Sequence, residues 1–253
     1  MVNYHHHTSF SNLYTPFKDS HVSYEDYAKR AVALGQNVLT SVEHGWQGNY
    51  MRAWETARQY GLKFVFGAEA YWVKDRTQPD RTNAHIILLA KNQEGMYELN
   101  EMLSEANETG FYAVPRVDME LLRKLHPENV MVTSACVSFW GKVDKQTDQV
   151  LWHYASDEFH RDDSPITGIA LDLFEHFGGS FFLEVQAHNT KWQKIVNQKC
   201  LDLHYRHHIP MIAGLDSHYL YPEQKQERKY LREESGVKSF DEDHEMSDAV
   251  YED

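Results

Sequence analysis

Asn3-Tyr4-His5-His6-His7-Thr8-Ser9-Phe10-Ser11 is the stretch around which this chain is organised. Asn3 to His7 reads as a short first strand. Side chains two apart on a strand share a face, so His5 and His7 present two imidazoles side by side while His6 points the other way. Such a pair suits a borderline divalent ion such as Zn²⁺, Mn²⁺ or Fe²⁺. An affinity tag would run longer and end in a linker, whereas this run leads straight into patterned sequence.

Later strands end in the same residue types. Apolar runs predict strands at 37–43, 63–73, 84–90, 129–136, 180–186 and 210–216. Capped, periodic segments predict helices at 24–34, 49–60, 92–108, 118–125, 191–208 and 223–234, with 141–179 mainly helical. Ser23 with Asp26 has the form of a capping box, and Gly35 that of a C-terminal cap. Residues 74–83 are polar, carry Pro79 and read as a loop. Strands alternating with helices imply parallel pairing through helical crossovers, and strands apolar throughout imply cover on both faces. An open doubly wound sheet and a closed or distorted (β/α) barrel both satisfy this pattern.

The polar residues favour the barrel. His5 and His7 end the first strand, and Glu43 and His44 the second. Glu69 lies late in the third, Cys136 ends the fifth, Gln186 and His188 follow the sixth, and Asp216 and His218 close the seventh. His85, at the start of the fourth, breaks the trend. In a parallel barrel the C-terminal strand ends converge on one rim, where active sites are built. Taken singly, each residue has an ordinary explanation: a loop histidine, a paired carboxylate, a small core cysteine. Sixteen histidines scattered without purpose would not select strand ends this often. His126, His153, His160, His176, His204, His207, His208 and His244 fall in helices, loops or the tail and read as surface residues.

Composition bounds the function. The chain has 253 residues and a formal net charge of −13. An acidic surface argues against a non-specific grip on a nucleic-acid backbone. It leaves room for a phosphate held through bound cations, which dominate their local field. No apolar run approaches the roughly 18 residues of a membrane span, and no basic-then-apolar leader is present. Cys136 and Cys200 are the two cysteines, too few for a disulfide framework and in keeping with a cytoplasmic protein. One domain is expected over 1–236, followed by an acidic, mobile tail over 237–253.

The motifs, in order, resemble the PHP (polymerase and histidinol phosphatase) superfamily, and within it the polymerase-type branch of bacterial DNA polymerase III alpha subunits. His5-His6-His7-Thr8 resembles its His-x-His-Thr, and Val42-Glu43-His44-Gly45 its Thr-Asp-His-Gly. Gly67-Ala68-Glu69-Ala70-Tyr71, His85 to Ala90, Gly110-Phe111-Tyr112 with Pro115 to Asp118, Ser134-Ala135-Cys136, Leu183 to Gln186 and Asp216 to Leu220 follow the polymerase wording. The resemblance covers His5 to about Tyr219. It implies a distorted, TIM-barrel-like (β/α)7 barrel holding two to three divalent metal ions, Zn, Mn or Fe.

Its ligands, carried over by position, would be His5, His7, Asp19, His44, Glu69, His85, Cys136, Asp216 and His218. Asp19 is reached only across extra residues around Leu13 to Lys18. Glu43 stands where the family has aspartate, which alters what surrounds the ligands rather than the ions. Asp216, His218 and Glu69 would carry catalysis by holding ions that lower the pKa of a water towards about 7. Arg116 would meet a further phosphate oxygen. The implied activity is a metal-dependent phosphoesterase, specifically a 3′–5′ exonuclease trimming a DNA 3′ end beside polymerase subunits. The alternatives are a non-catalytic, metal-stabilised module of a replicative polymerase and a small-molecule phosphatase of the histidinol-phosphate type.

Overall fold

The computed structural model describes residues 2–14, 18–79, 83–141, 159 and 161–236. Seven strands form one curled sheet: β1 Val38–Ser41, β2 Lys63–Trp72, β3 Ala84–Ala90, β4 Arg116–Val117, β5 Val130–Thr133, β6 Phe181–Gln186 and β7 Met211–Gly214. Their order is β1-β2-β3-β5-β6-β7, with the two-residue β4 paired to β2 alone. The helices are α1 Tyr24–Ala33, α2 Tyr50–Gln59, α3 Gln93–Thr109, α4 Met119–Leu122, α5 Val137–Trp140, α6 Pro165–Phe177, α7 Lys191–His207 and α8 Lys225–Glu234. The capping box at Ser23 and Asp26 is formed, and Gly35 adopts φ +70°. The acidic stretch 237–253 and residues 142–158 of the expected helical region lie outside the described residues.

Period two sorts each strand between helices and barrel interior. On β2, Phe66, Ala68, Ala70 and Trp72 join the main core under the helices, which leaves Gly67, Glu69 and Tyr71 for the inside. On β3, Ala84, Ile86 and Leu88 face out, while Ile87 and Leu89 pack inside with Tyr4, Val42 and Ala135. On β6, Phe181 and Leu183 face out, so Phe182, Glu184 and Gln186 face in.

Two expectations are corrected. First, Asn3–His7 is not a full strand. It makes one parallel bridge, His6 to Ser217, through His7 N–H to Ser217 O at 2.8 Å and Ser217 N–H to His5 O at 3.1 Å. Towards β1 it is held by a side chain, Thr40 Oγ1 donating to Tyr4 O at 2.7 Å. The barrel is therefore distorted where its two ends meet. Second, the strands are not all parallel. β3 runs antiparallel to both β2 and β5. The connection from β2 to β3 shows no helix among its described residues and falls just short of the dozen or so residues that a parallel crossover takes, and the chain turns back. That reversal places the start of β3 at the rim where the parallel strands end, with His85 opposite Tyr71.

Candidate metal centre

Side chains from the N-terminal segment, the β1–α2 loop, β2, β3 and the turn after β7 meet at this rim. His5 Nε2 lies 3.4 Å from Glu69 Oε1 and 3.2 Å from Asp216 Oδ1. His7 Nε2 lies 3.5 Å from Glu69 Oε2 and 3.1 Å from the same Asp216 oxygen. His44 Nδ1 contacts Glu69 Oε2, and His85 Nδ1 lies 3.1 Å from Glu69 Oε1. Three overlapping triads have ligand atoms within 4.8 Å of one another: His5, His7 and Asp216; His7, His44 and His218; His44, Glu69 and His85. The chain enters this cluster with a left-handed backbone at Asp216 (φ +50°) and at Ala135 (φ +46°), just before Cys136. Backbone strain of this kind gathers at functional sites, where it re-aims a side chain.

The donor set fits divalent cations. His5 Nε2, His7 Nε2, His44 Nδ1, both Glu69 oxygens, Asp216 Oδ1 and His218 Nε2 are buried without a hydrogen-bond partner. Buried polar atoms are rarely left so, and here they point at one another rather than scatter. Nitrogen and carboxylate oxygen together suit Zn²⁺, Mn²⁺ or Fe²⁺.

Each first imidazole is braced from behind. His5 Nδ1 meets Glu184 Oε1 at 2.7 Å. Glu184, fully buried, also accepts from Tyr4 Oη (2.6 Å), Thr133 Oγ1 (2.8 Å) and Gln186 Nε2 (2.8 Å). His7 Nδ1 meets Ser11 Oγ at 2.9 Å, and Ser11 donates to Glu43 Oε2 at 2.5 Å. His218 Nδ1 donates to Asp216 O at 2.8 Å. In each case Nε2 is left facing the cluster, the arrangement that sets a histidine's tautomer and basicity towards a metal.

Electrostatics follow the same plan. Burial alone would depress His5, but Glu184 and Asp216 outweigh it and hold its pKa well above the ordinary histidine range. Burial likewise opposes the charged form of His44, yet Glu69 and Asp19 push it up to about 10. Burial and the neighbouring His44 keep His7 well below the usual range. The surrounding carboxylates thus favour the protonated form of His5 and His44 in the metal-free chain. Ligation requires neutral imidazole, so metal binding should be accompanied by proton release. Calorimetry in buffers of different ionisation enthalpy measures this release, and proton-neutral binding would contradict it.

The remaining expected residues are placed as follows. Asp19 is buried, with Oδ2 at 3.1 Å from His218 Nε2 and 3.7 Å from His44 Nε2. Cys136 sits beside the cluster, Sγ 3.5 Å from His85 Nδ1, with burial and then Asp216 raising its thiol pKa. His188 is buried but belongs to none of the three triads. Arg116 lies outside the three triads. It is buried, and it donates from Nε to Gly110 O (2.8 Å), from Nη1 to Gln78 O (2.7 Å) and from Nη2 to Arg76 O (2.5 Å). Its fork ties together three loop carbonyls, a structural role for at least part of the guanidinium.

Sequence reading missed Glu184, Ser11 and the two arginines of α8. Glu184 carried a signal: an acid inside an apolar strand, in phase with Gln186 and therefore inward. Gly214 of β7 makes its room, since a Cβ there would stand 2.1 Å from Glu184 Oε1. Gly214→Ala should push that carboxylate off His5, cost about 1–3 kcal/mol of stability as overpacking does, and weaken metal binding. Thermal melts with and without Mn²⁺ test it, and an unchanged metal-dependent increment would count against the brace. A cavity of about 1080 Å³ opens elsewhere, lined by Val38, Lys63, Phe64, Met131 and Ile212, and holds none of the candidate ligands.

The structure is an α/β barrel whose rim gathers buried histidines and carboxylates into triads that could hold metal ions. The chain belongs to the PHP domain family, whose model matches residues 3–188. It is 28% identical over 236 residues to the DNA polymerase III subunit alpha of Aquifex aeolicus, covering 88% of this chain and 19% of that protein. It is 29% identical over 225 residues to that of Treponema pallidum, covering 86% and 18%. The chain thus spans about a fifth of the length of these curated relatives. Among solved structures, a candidate metal-dependent phosphoesterase from Bifidobacterium adolescentis shares the fold, with a TM-score of 0.50, 15% identity, and coverage of 85% of this chain and 86% of that one. No helix among the described residues is long and apolar enough to cross a membrane.

Proposed function

We propose that this chain is a metal-dependent phosphoesterase acting on the 3′ end of a DNA strand as a 3′–5′ exonuclease. The observation that carries the reading is the convergence of buried, unpartnered nitrogen and carboxylate atoms on one barrel rim. His5, His7, His44, Glu69, His85, Asp216 and His218 would hold the ions, with Asp19 and Cys136 at the margins of the set. Bound there, two or three divalent ions would supply Lewis acidity for a phosphoryl oxygen and a water acidified to near neutral pH. The chain's own part is to fix the ligands. Glu184 orients His5, Glu43 acts through Ser11 on His7, and the Asp216 carbonyl orients His218. Glu69, reached by four imidazoles, ties the triads into one unit.

The DNA assignment is supported by relatives named as the alpha subunit of DNA polymerase III and matched over most of this chain. The net charge of −13 means that phosphate recognition must rest on the bound cations rather than on a basic surface. The experiment is elemental analysis of protein purified without chelator, followed by digestion of 3′-labelled single-stranded DNA with Mn²⁺. Two to three metal equivalents and stepwise shortening from the 3′ end are expected. Metal content near zero would remove the centre, and a loaded protein that cleaves only monoesters would transfer the reading to small-molecule phosphates.

A further inference from the structure

We infer that the C-terminal helix belongs to the metal centre: Arg228 and Arg232 of α8 are positioning residues that clamp Asp19 so that Oδ2 alone is offered to an ion held by His44 and His218. The inference rests on the metal reading above, and the observations that carry it are contacts made by α8. Arg228 donates from Nη2 to Asp19 Oδ1 at 2.7 Å and from Nε to Asp19 O at 3.1 Å. Arg232 donates from Nη1 to the same Oδ1 at 2.5 Å. The two lie one turn apart, so both guanidinium groups reach from one helix face. Both side chains are largely buried, at 11% and 14% exposure.

The backbone at Lys18 and Asp19 is held from α8 on one side and from Asn12 on the other. Lys18 N–H donates to Ser235 Oγ, at the cap of α8, at 3.0 Å. Asp19 N–H donates to Asn12 Oδ1 at 2.6 Å. The stretch Leu13 to Lys18 is the one read above as carrying extra residues, so chain spacing alone does not deliver Asp19 to the rim. The arginines do, and they act on one oxygen only. Oδ1 is occupied by two cations, while Oδ2 faces His218 Nε2 at 3.1 Å and His44 Nε2 at 3.7 Å. A carboxylate so held is a one-oxygen ligand whose charge is shared with two guanidinium groups. The ion it serves is therefore bound by less net charge than one held by Asp216 or Glu69, and it should be the last to bind and the first to leave.

The test compares wild type, Arg228→Lys, the Arg228→Met/Arg232→Met double variant and Asp19→Asn. Each is loaded with Mn²⁺, dialysed, analysed for metal and titrated with Mn²⁺. The double variant should lose one metal equivalent, or bind its weakest ion at least about tenfold less tightly, as loss of an outer partner does. Arg228→Lys should fall between it and wild type. Asp19→Asn should show the same loss, and combining it with the double variant should add nothing further. The lysine variant keeps a cation beside Oδ1 and so covers the case in which the double variant fails to fold. A loaded wild type with unchanged stoichiometry and affinity in the variants overturns the clamp and leaves the metal reading standing. Intact metal with KM for a phosphodiester raised instead would assign the arginines to substrate, also overturning it. A wild type without metal would remove both.

Discussion

Asp216→Asn is expected to leave a folded chain in which the proposed phosphoester hydrolysis is lost. Asp216 Oδ1 stands 3.1 Å from His7 Nε2 and 3.2 Å from His5 Nε2, so it is the carboxylate shared by the two histidines that open the chain. Asparagine keeps its shape. It also tolerates the left-handed backbone found here, φ +50°, better than most residues. The main-chain bond from His218 Nδ1 to the 216 carbonyl is untouched. What is lost is the negative charge that balances the ions. A fall of at least about a thousandfold in kcat, or roughly 4 kcal/mol of barrier, is expected. The substrates are 3′-labelled single-stranded DNA, a chromogenic phosphodiester and a phosphomonoester, with Mn²⁺ supplied. Loss of DNA and diester cleavage together supports the exonuclease. Wild type and variant equally inactive on all three, with metal bound, would make the centre structural.

If the rim holds the proposed ions, removing them is expected to loosen the whole barrel. The ligands come from the N-terminal segment, the β1–α2 loop, β2, β3 and the turn after β7, so an ion at the rim ties together elements distant in the chain. Its loss leaves buried carboxylates and imidazoles facing one another without the charge they were arranged around. An ion present at a thousandfold its Kd contributes about 4 kcal/mol, which for a domain of this size is on the order of 10 °C in Tm per ion. Chelation should lower Tm by at least that amount, and Mn²⁺ or Zn²⁺ should restore it. A melting curve that does not move, with metal loss confirmed by elemental analysis, would confine the ions to a peripheral role.

Much of this was legible in the chain because the signals are local. The run Ala84 to Ala90 reads as a strand and is one, with the same ends. The capping box at Ser23 needs only three residues to be seen. The histidines and acids at strand ends could be gathered onto one rim because parallel strands bring their C-terminal ends together.

What the chain could not announce is whatever depends on contacts distant in sequence. The direction of β3 was hidden behind a pattern that fits parallel and antiparallel strands alike. It was settled by a connection too short to cross over, which brought His85 to the rim despite its place at a strand start. Arg116 carries a charge that does not reveal its neighbours, and only packing brought it to three loop carbonyls. Asp19 and its arginines lie more than two hundred residues apart, with no periodicity to link them. Period and capping are written in neighbouring residues and so determine the elements. Which face of one element meets which face of another is a matter of burial and charge summed over the whole fold, and that was decided only when the chain closed on itself.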